Sequence, residues 1–190
     1  MKKLETESIT QLLEIIPDHP GLRMSQFSDG GEAFSTALNS LCLKREHEYQ
    51  LNVLDEDFFI KAKELYGDNP LSIIKRIKWD QRRYSSLAKQ YDVVFITATV
   101  PNEHRKLFAK NIHSHIKSAG HLVLFLEKNN QENSDEWWSF LEEYLFVAIS
   151  TLDVFENYDI LIAKKCMDGE ENKKLDSFIP FLSKGKMGKV

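Results

Sequence analysis

The sequence predicts one α/β domain built on a mostly parallel sheet, and three observations carry this prediction. Residues 91–127 contain an apolar strand, a turn at Pro101, a crossover helix and a second apolar strand, which together make a βαβ unit. Strand-like and helix-like segments also alternate before this unit. Finally, two strands at 146–151 and 158–163 are joined by a short turn, which is typical of an antiparallel hairpin.

The composition fits a globular protein with its own core. The chain has 190 residues, of which 42% are hydrophobic and 28% charged. A formal net charge of -4 argues against a globally basic nucleic-acid binder and leaves a local basic patch open. The sequence predicts neither a signal peptide nor a membrane span, since no run of about 18 apolar residues occurs. We therefore expect a cytoplasmic protein with no membrane partner, in which Cys42 and Cys166 are reduced thiols.

The amino-terminal half alternates helices and strands. Apolar residues at positions i, i+3, i+4 and i+7 predict a helix over 4–16, with Ser8 and Gln11 as a capping box and Pro17 as its end. The next predicted elements are a weak strand at 22–27, a turn at 28–31, a helix carrying Phe34, Ala37, Leu38 and Leu41, a strand at 48–54 and a helix carrying Phe58, Phe59, Ala62 and Leu65.

The second half continues the alternation and then closes with the hairpin. Its predicted elements are a strand at 73–79, a short helix at 81–89, a strand at 92–96, the crossover helix, a strand at 121–127, a helix capped by Ser134, and the strands 146–151 and 158–163. Runs as apolar as 93–96 and 122–125 suit strands that are buried on both faces of a parallel sheet. In such sheets ligands bind outside the carboxyl ends of the strands, which places 97–102 on a functional rim.

The composition changes near the carboxyl terminus. Residues 165–190 are charged and contain glycine, with one apolar island at 178–182. The sequence therefore predicts a single domain over 1–164 and a carboxyl-terminal extension over 165–190. We expect the island to pack on the domain or on a second copy of the chain, which would give a homodimer.

Five βα steps and a closing hairpin resemble the Rossmann-like class I S-adenosylmethionine (SAM) dependent methyltransferases over about residues 4–164. The resemblance implies a three-layer sandwich with a seven-stranded sheet in the order 3-2-1-4-5-7-6, and SAM as cofactor. The family's loop after the first strand, D-x-G-x-G-x-G, matches Q-F-S-D-G-G-E at 26–32, where one of the three glycines is kept. The cofactor-binding residues implied here are Ser28, Asp29, Gly30 and Gly31.

Further cofactor-binding positions follow the second, third and fourth strands. The resemblance implies that Asp55, with Glu56 beside it, binds the ribose hydroxyls, for which a carboxylate is a suitable acceptor. It also places Asp80 near the adenine amino group, and Thr97 on the rim after the fourth strand. Trp79 is expected either to stack on a base or to pack in the core. Asp55 and Asp80 have a second interpretation as helix N-caps.

The fourth strand and the histidines argue against a metal. The segment Y-D-V-V-F-I-T-A-T resembles Y-D-x-x-F-I-D-A-D of metal-dependent O-methyltransferases, but Thr97 and Thr99 replace both aspartates. His113 and His115 lie two apart on a predicted helix, so they are expected to be solvated or capping residues rather than ligands. His104 lies nearest the rim and is the candidate general base, with a plain surface role as the alternative.

One basic cluster and one tryptophan pair complete the candidates. The cluster comprises Lys75, Arg76, Lys78, Arg82 and Arg83, with Trp79 and Tyr84 interleaved. It would hold a phosphate backbone or a nucleotide, or else form a solvated strand edge and helix start. Of the neighbours Trp137 and Trp138, only one can point fully into the core.

The leading hypothesis is a metal-independent SAM-dependent methyltransferase whose methyl acceptor the sequence does not reveal. The order of elements and Asp55 favour it. Two alternatives remain open. One is a methyltransferase-like domain that has lost its cofactor site and serves in binding or assembly, which the altered glycine loop favours. The other is a different Rossmann-like nucleotide-binding protein, in which the basic cluster meets phosphates.

Overall fold

A computed structural model describes residues 4–18, 20–30, 32–85, 89–128 and 131–167, without the side chains of Glu32 and of residues 131–133. The helices are α1 (Thr6–Leu13), α2 (Glu32–Lys44), α3 (Glu56–Tyr66), α4 (Asn102–His115) and α5 (Gln131–Glu143). The strands are β1 (Arg23–Ser28), β2 (Glu48–Val53), β3 (Ser72–Arg76), β4 (Tyr91–Ile96), β5 (Ile116–Glu127), β6 (Phe146–Leu152) and β7 (Tyr158–Lys165).

The strands form one sheet in the order β3-β2-β1-β4-β5-β7-β6. The first five strands are parallel, and β7 runs antiparallel to both β5 and β6. This confirms the predicted fold class, strand order and closing hairpin. The chain winds outward from β1 in one direction and from β4 in the other, so the crevice where such sheets bind ligands lies between the carboxyl ends of these two strands.

Helices cover both faces of the sheet and create two hydrophobic cores. On one face α1, α2 and α3 pack against strand residues such as Phe95 and Phe125. On the other face α4 and α5 pack against Phe27 and the other side of β4 and β5. Trp137 points into this second core with 2% of its surface exposed while Trp138 is 37% exposed, as expected for adjacent residues. Within the described residues, no helix is long and apolar enough to cross a membrane.

Several predicted helix ends and one predicted helix are wrong. α1 spans Thr6–Leu13, and the Ser8 hydroxyl donates to the carbonyl of Val154 at 3.0 Å instead of capping the helix. α5 starts at Gln131, so Ser134 lies inside it. Residues 81–85 are irregular rather than helical. For Ser8, the contact with Val154, a distant part of the chain, overrides the local sequence signal.

β5 starts at Ile116, five residues before the predicted start. A break in the strand explains the weak sequence signal: Ala119 has φ 63°, and the following Gly120 is packed so tightly that a Cβ there would lie 2.7 Å from the Ile116 side chain and 3.0 Å from the Asp92 carbonyl oxygen. Only glycine fits at this point. The strand therefore follows α4 directly, without a loop.

The last strand continues through Lys165, the first residue of the expected extension. The Lys165 ammonium is buried and donates to the carbonyls of His113 at 3.0 Å and Ile116 at 2.9 Å. These bonds tie the end of β7 to the end of α4. Residues 168–190, which include the apolar island, lie outside the described residues.

Truncation after Met167 is expected to leave the domain folded, because the seven described strands and both described cores are formed by residues up to Lys165. Thermal unfolding and molecular mass of the truncated and full-length chains test this. Truncation after Ala163 is the matched control, and it should destabilise the protein by about 1–3 kcal/mol because it removes the bonds of Lys165. If the chain ending at Met167 failed to fold, the extension would belong to the core; a dimer that became a monomer would place the island at an interface.

Candidate functional site

Hydrogen bonds join β1 and β4 at the base of the crevice between them. The carbonyl of Phe27, near the end of β1, accepts from the backbone N–H groups of Thr97 at 2.9 Å and Ala98 at 3.1 Å. It also accepts from the Thr97 hydroxyl at 3.0 Å. Thr97 is 3% exposed, so this predicted cofactor residue lies in the floor of the crevice and fixes the relative position of the two strand ends.

Gln26 strengthens this floor from the side of α2. Gln26 occupies the position of the family's acidic residue, and it is fully buried. Its amide Nε2 donates to the Thr97 hydroxyl oxygen at 2.8 Å, and its Oε1 accepts from the Tyr49 hydroxyl at 2.6 Å. Burial raises the pKa of Tyr49 well above its usual value, so the phenol remains protonated and keeps donating. A neutral amide suits this place because it donates and accepts at once.

The loop after β1 is held by its own side chains. The Ser28 hydroxyl donates to the Gly30 carbonyl, and the Gly30 N–H donates back to Ser28 Oγ at 3.2 Å. Gly30 has φ 144°, a conformation that residues with a Cβ rarely adopt. This explains physically why glycine stands at this one position of the three in the resembling pattern. Gly31, another predicted cofactor residue, lies outside the described residues.

Asp29 bridges this loop to the loop after β4. Its Oδ2 accepts from the backbone N–H of Thr99 at 3.0 Å. Its other oxygen, Oδ1, is buried and has no hydrogen-bond partner among the described residues. A buried carboxylate oxygen without a donor is costly, and such an oxygen marks a place that a donor group of a ligand would satisfy.

A second carboxylate lies at the end of β2. Asp55 caps α3, since its Oδ1 accepts from the N–H of Phe58 at 2.7 Å, and the residue is exposed. The helix-cap interpretation is therefore correct, and the cap engages one of the two carboxylate oxygens. Glu56 follows in the first turn of α3 and forms an ion pair with Arg76, at the end of β3. Asp55 is thus the better placed of the two residues to bind a ligand.

The loop after β3 carries Trp79 and Asp80. The Trp79 ring is partly buried and packs edge-on against Phe108 of α4, with ring centroids 5.1 Å apart. Packing in the core is therefore the interpretation that the contacts support. Asp80 is exposed, and it does not cap a helix, since residues 81–85 are irregular. Its position beside the end of β2 leaves it on the rim.

A small cleft opens beside the crevice, at the carboxyl ends of β4 and β5. Its volume is about 70 Å³, well below the roughly 300–1,000 Å³ of typical ligand pockets. Thr99, Trp137 and Arg105 line part of it. The Arg105 guanidinium donates to the Val100 carbonyl at 3.2 Å and pairs with Glu136 at 2.6 Å, so its charge is already matched. His104, the candidate base, is half-buried in the first turn of α4 and does not line this cleft.

The expectation that His115 is solvated or capping is wrong. His115 is 1% exposed, and its ring stacks on Tyr91 with centroids 4.5 Å apart. Its two ring nitrogens lie 2.9 Å from the hydroxyl oxygens of Ser85 and Ser25. Burial, aided by the charge of Lys75, lowers the pKa of His115 to about 3, so the imidazole is neutral at physiological pH.

His115 belongs to a buried polar network below the candidate site. Asn52 donates to the Ser25 hydroxyl oxygen at 2.9 Å, Gln50 donates to Asn52 Oδ1 at 2.7 Å, and Tyr91 donates to Gln50 Oε1. The sequence carried one signal for it: Gln50 and Asn52 alternate with apolar residues in a strand that is buried on both faces. Buried polar residues require partners, and here the neighbouring strands β1 and β4 and the Tyr84 carbonyl supply them.

Metal ligands and thiols were the other candidates for chemistry in the described residues. Among the described residues, no group of three or more histidine, cysteine, aspartate or glutamate side chains is placed to hold a metal ion. Cys42 and Cys166 are free thiols. Burial raises the pKa of Cys42 to about 12 despite the nearby Arg45, so this thiol stays protonated and is a poor nucleophile.

Comparison with solved structures defines the fold class. An O-methyltransferase from Thermotoga maritima matches with a TM-score of 0.69 and 14% identity, covering 87% of this chain and 68% of the other. A TehB-like SAM-dependent methyltransferase from Corynebacterium glutamicum matches with a TM-score of 0.65 and 12% identity, covering 83% and 86%. Human N-acetylserotonin methyltransferase, solved with SAM, matches with a TM-score of 0.62 and 12% identity, covering 85% of this chain and 52% of the other.

These likenesses show that the chain has the class I methyltransferase-like Rossmann fold. The chain spans 52% of the length of the human enzyme and 68% of the length of the Thermotoga enzyme. No protein-family model matches the sequence, and a search of curated proteins finds no match. The fold is thus shared with SAM-dependent methyltransferases, at a sequence identity of 12% to 14% for the three proteins compared.

Proposed function

We propose that this chain binds SAM at the carboxyl ends of β1 and β2 and is a metal-independent methyltransferase. The observation that carries the proposal is the buried Oδ1 of Asp29, which has no hydrogen-bond partner among the described residues and lies on the rim of the crevice. A cationic ammonium group, such as that of the methionine part of SAM, would satisfy it with a charge-assisted hydrogen bond.

The remaining rim residues fit the other parts of the same ligand. Asp55 uses one carboxylate oxygen as a helix cap and offers the second to ribose hydroxyls. Ser28 and Gly30 form the loop whose backbone approaches the ligand, and the exposed Asp80 lies on the adenine side. When bound, SAM supplies an electrophilic methyl group. The protein contributes by positioning the acceptor, and no carboxylate stands at Thr97 or Thr99 to hold a metal.

A binding or assembly module without catalysis is the second candidate. Two observations favour it: Phe27, Thr97 and Ala98 close the floor of the crevice with hydrogen bonds, and the adjoining cleft has a volume of only about 70 Å³. Such a module would keep the fold for its surface rather than for a cofactor. Titration with SAM separates the two candidates, because only the first predicts saturable binding.

Calorimetric titration of the full-length protein with SAM and with its demethylated product is expected to show saturable binding of both. Asp55→Ala should weaken binding by about 1.5–3 kcal/mol, the scale of a lost charge-assisted hydrogen bond. Because asparagine caps helices as well as aspartate does, Asp55→Asn should weaken binding equally while keeping the cap and the stability. Asp57→Asn, an exposed charge in the same turn of α3, is the matched control.

Two outcomes would count against this proposal. If neither compound bound the wild-type protein, the cofactor assignment would fail and the module without catalysis would be the better description. If SAM bound but Asp55→Asn kept normal affinity, SAM would bind without a contact to Asp55 at the end of β2.

A further inference from the structure

A strongly basic surface follows the edge strand of the sheet. Four exposed cations form it, and we call them the β3 basic patch: Lys75, Lys78, Arg82 and Arg83. Arg76 is excluded, since it lies on the opposite face of β3 and pairs with Glu56 of α3. The patch stands out on a chain whose formal net charge is -4. Its positive charge is therefore a local feature and not a consequence of composition.

The loop that displays the patch is fixed to the domain. Tyr84 is 4% exposed and packs edge-on against Phe27 with ring centroids 4.9 Å apart. Its hydroxyl donates to the Trp79 carbonyl at 2.9 Å, and Asn111 of α4 donates to the Gln81 carbonyl at 3.0 Å. Backbone anchors thus lie on both sides of Arg82 and Arg83. The cations are held as a set rather than carried on a free loop.

The described residues do not neutralise the charges of the patch. Within the described part of the chain, Arg76 has a carboxylate partner, whereas none of the four patch residues forms an ion pair. Asp80 is the one carboxylate between Lys78 and Arg82 in sequence. Like charges on one short stretch of chain repel each other, and a polyanion that binds them removes this cost.

We propose that the β3 basic patch binds the phosphate backbone of a nucleic acid. Its cations extend from the edge strand into the following loop, which suits the evenly spaced charges of such a backbone. Of its neighbouring aromatic rings, Tyr84 is buried against Phe27 and Trp79 is partly buried against Phe108, so we assign the binding to the cations and not to base stacking. The binding is therefore independent of base sequence, because phosphate contacts carry no sequence information.

The position of the patch connects it to the rim. β3 pairs with β2 in parallel, so the loop after β3 lies beside Asp55 at the end of β2. A nucleic acid on the patch would reach the same edge of the sheet as the candidate cofactor site. The idea that this nucleic acid is the methyl acceptor rests on the proposed function. The proposal that the patch binds a nucleic acid does not.

Fluorescence anisotropy with a labelled single-stranded RNA oligonucleotide, without SAM, tests the proposal. The full-length protein is expected to bind at 50 mM salt and much more weakly at 200 mM. The triple variant Lys78→Gln, Arg82→Gln, Arg83→Gln should bind at least tenfold more weakly. For three lost phosphate contacts, the slope of log affinity against log salt should fall by about 2. The matched control removes three exposed charges from α2 and α3 and is the triple variant Lys44→Gln, Lys61→Gln, Lys63→Gln.

Three results would overturn this inference. The first is an absence of RNA binding at 50 mM salt, and the second is a triple variant that binds RNA like the wild type. The third is binding of polyglutamate as tight as that of RNA, which would indicate an acidic protein partner. Thermal unfolding of both triple variants verifies that they are folded. Because SAM is absent from the assay, failure here leaves the proposed function standing, and a failed SAM titration leaves this result interpretable.

Discussion

The wild-type protein is expected to lose stability as the pH falls below 6.5, and replacing His115 with glutamine is expected to make this loss smaller. His115 is buried and its pKa is lowered to about 3, whereas in the unfolded chain it titrates near its ordinary value of 6.5. Protons therefore bind the unfolded state more tightly. The stability is fully present above pH 6.5 and is lost as the pH falls towards 3, at about 1.4 kcal/mol per pH unit, or about 3 kcal/mol by pH 4.

Among the described residues, no carboxylate contributes to the pKa of His115 and offsets this effect. Facing it are the Ser25 and Ser85 hydroxyls, the rings of Tyr91 and Phe27, and the charge of Lys75, which also opposes protonation. Urea denaturation at several pH values between 7 and 4 measures the difference in slope between wild type and His115→Gln. His104→Gln, at the other end of α4, is the matched control. Parallel slopes for the wild type and His115→Gln would show that the imidazole already accepts a proton in the folded state.

The topology could be predicted because it depends on patterns that many residues share. The apolar runs 93–96 and 122–125 are long enough to be buried on both faces, and such strands imply a parallel sheet with helices on either side. The short link between 146–151 and 158–163 then allows one pairing only. No single substitution in these segments would have changed the prediction.

The details that could not be predicted depend on single contacts between distant residues. Ser8 has the local signature of a capping residue, yet its partner is Val154 in the turn between β6 and β7. His115 lies on a helix of mixed polarity, and its partner Ser25 is 90 positions away. Hydrophobic periodicity predicts which face of an element is buried. It does not predict which polar group of another element that face contacts.

The candidate site was predicted in part for the same reason. Position at the end of a strand is a property of the topology, so Asp55 and Thr97 were placed at the correct edge of the sheet. Their partners were not evident: Asp55 caps α3, and the Thr97 hydroxyl is committed to Phe27 and Gln26. The bridge from Asp29 to Thr99 joins two loops 70 residues apart, and no local pattern encodes it.

Replacing Asp29 with asparagine is expected to weaken SAM binding at least tenfold while leaving the stability of the protein unchanged or slightly higher. The asparagine carbonyl oxygen keeps the bond from the Thr99 N–H. The substitution removes the charge of a carboxylate whose Oδ1 is buried and has no partner among the described residues, which relieves a cost of the free protein. A ligand ammonium would lose a charge-assisted hydrogen bond, worth about 1.5–3 kcal/mol.

Calorimetric titration with SAM and urea denaturation of the same variant measure the two effects separately, with Asp57→Asn as the matched control. The prediction is specific because SAM affinity is expected to fall while stability does not. Replacing a residue with a purely structural role would lower the stability, and replacing a residue outside the site would change neither the affinity nor the stability. Weaker binding with retained stability would mean that the buried oxygen is kept for a ligand, as found where function opposes stability. Normal affinity would exclude Asp29 from the site, and a clear loss of stability would mean that its carboxylate serves the fold.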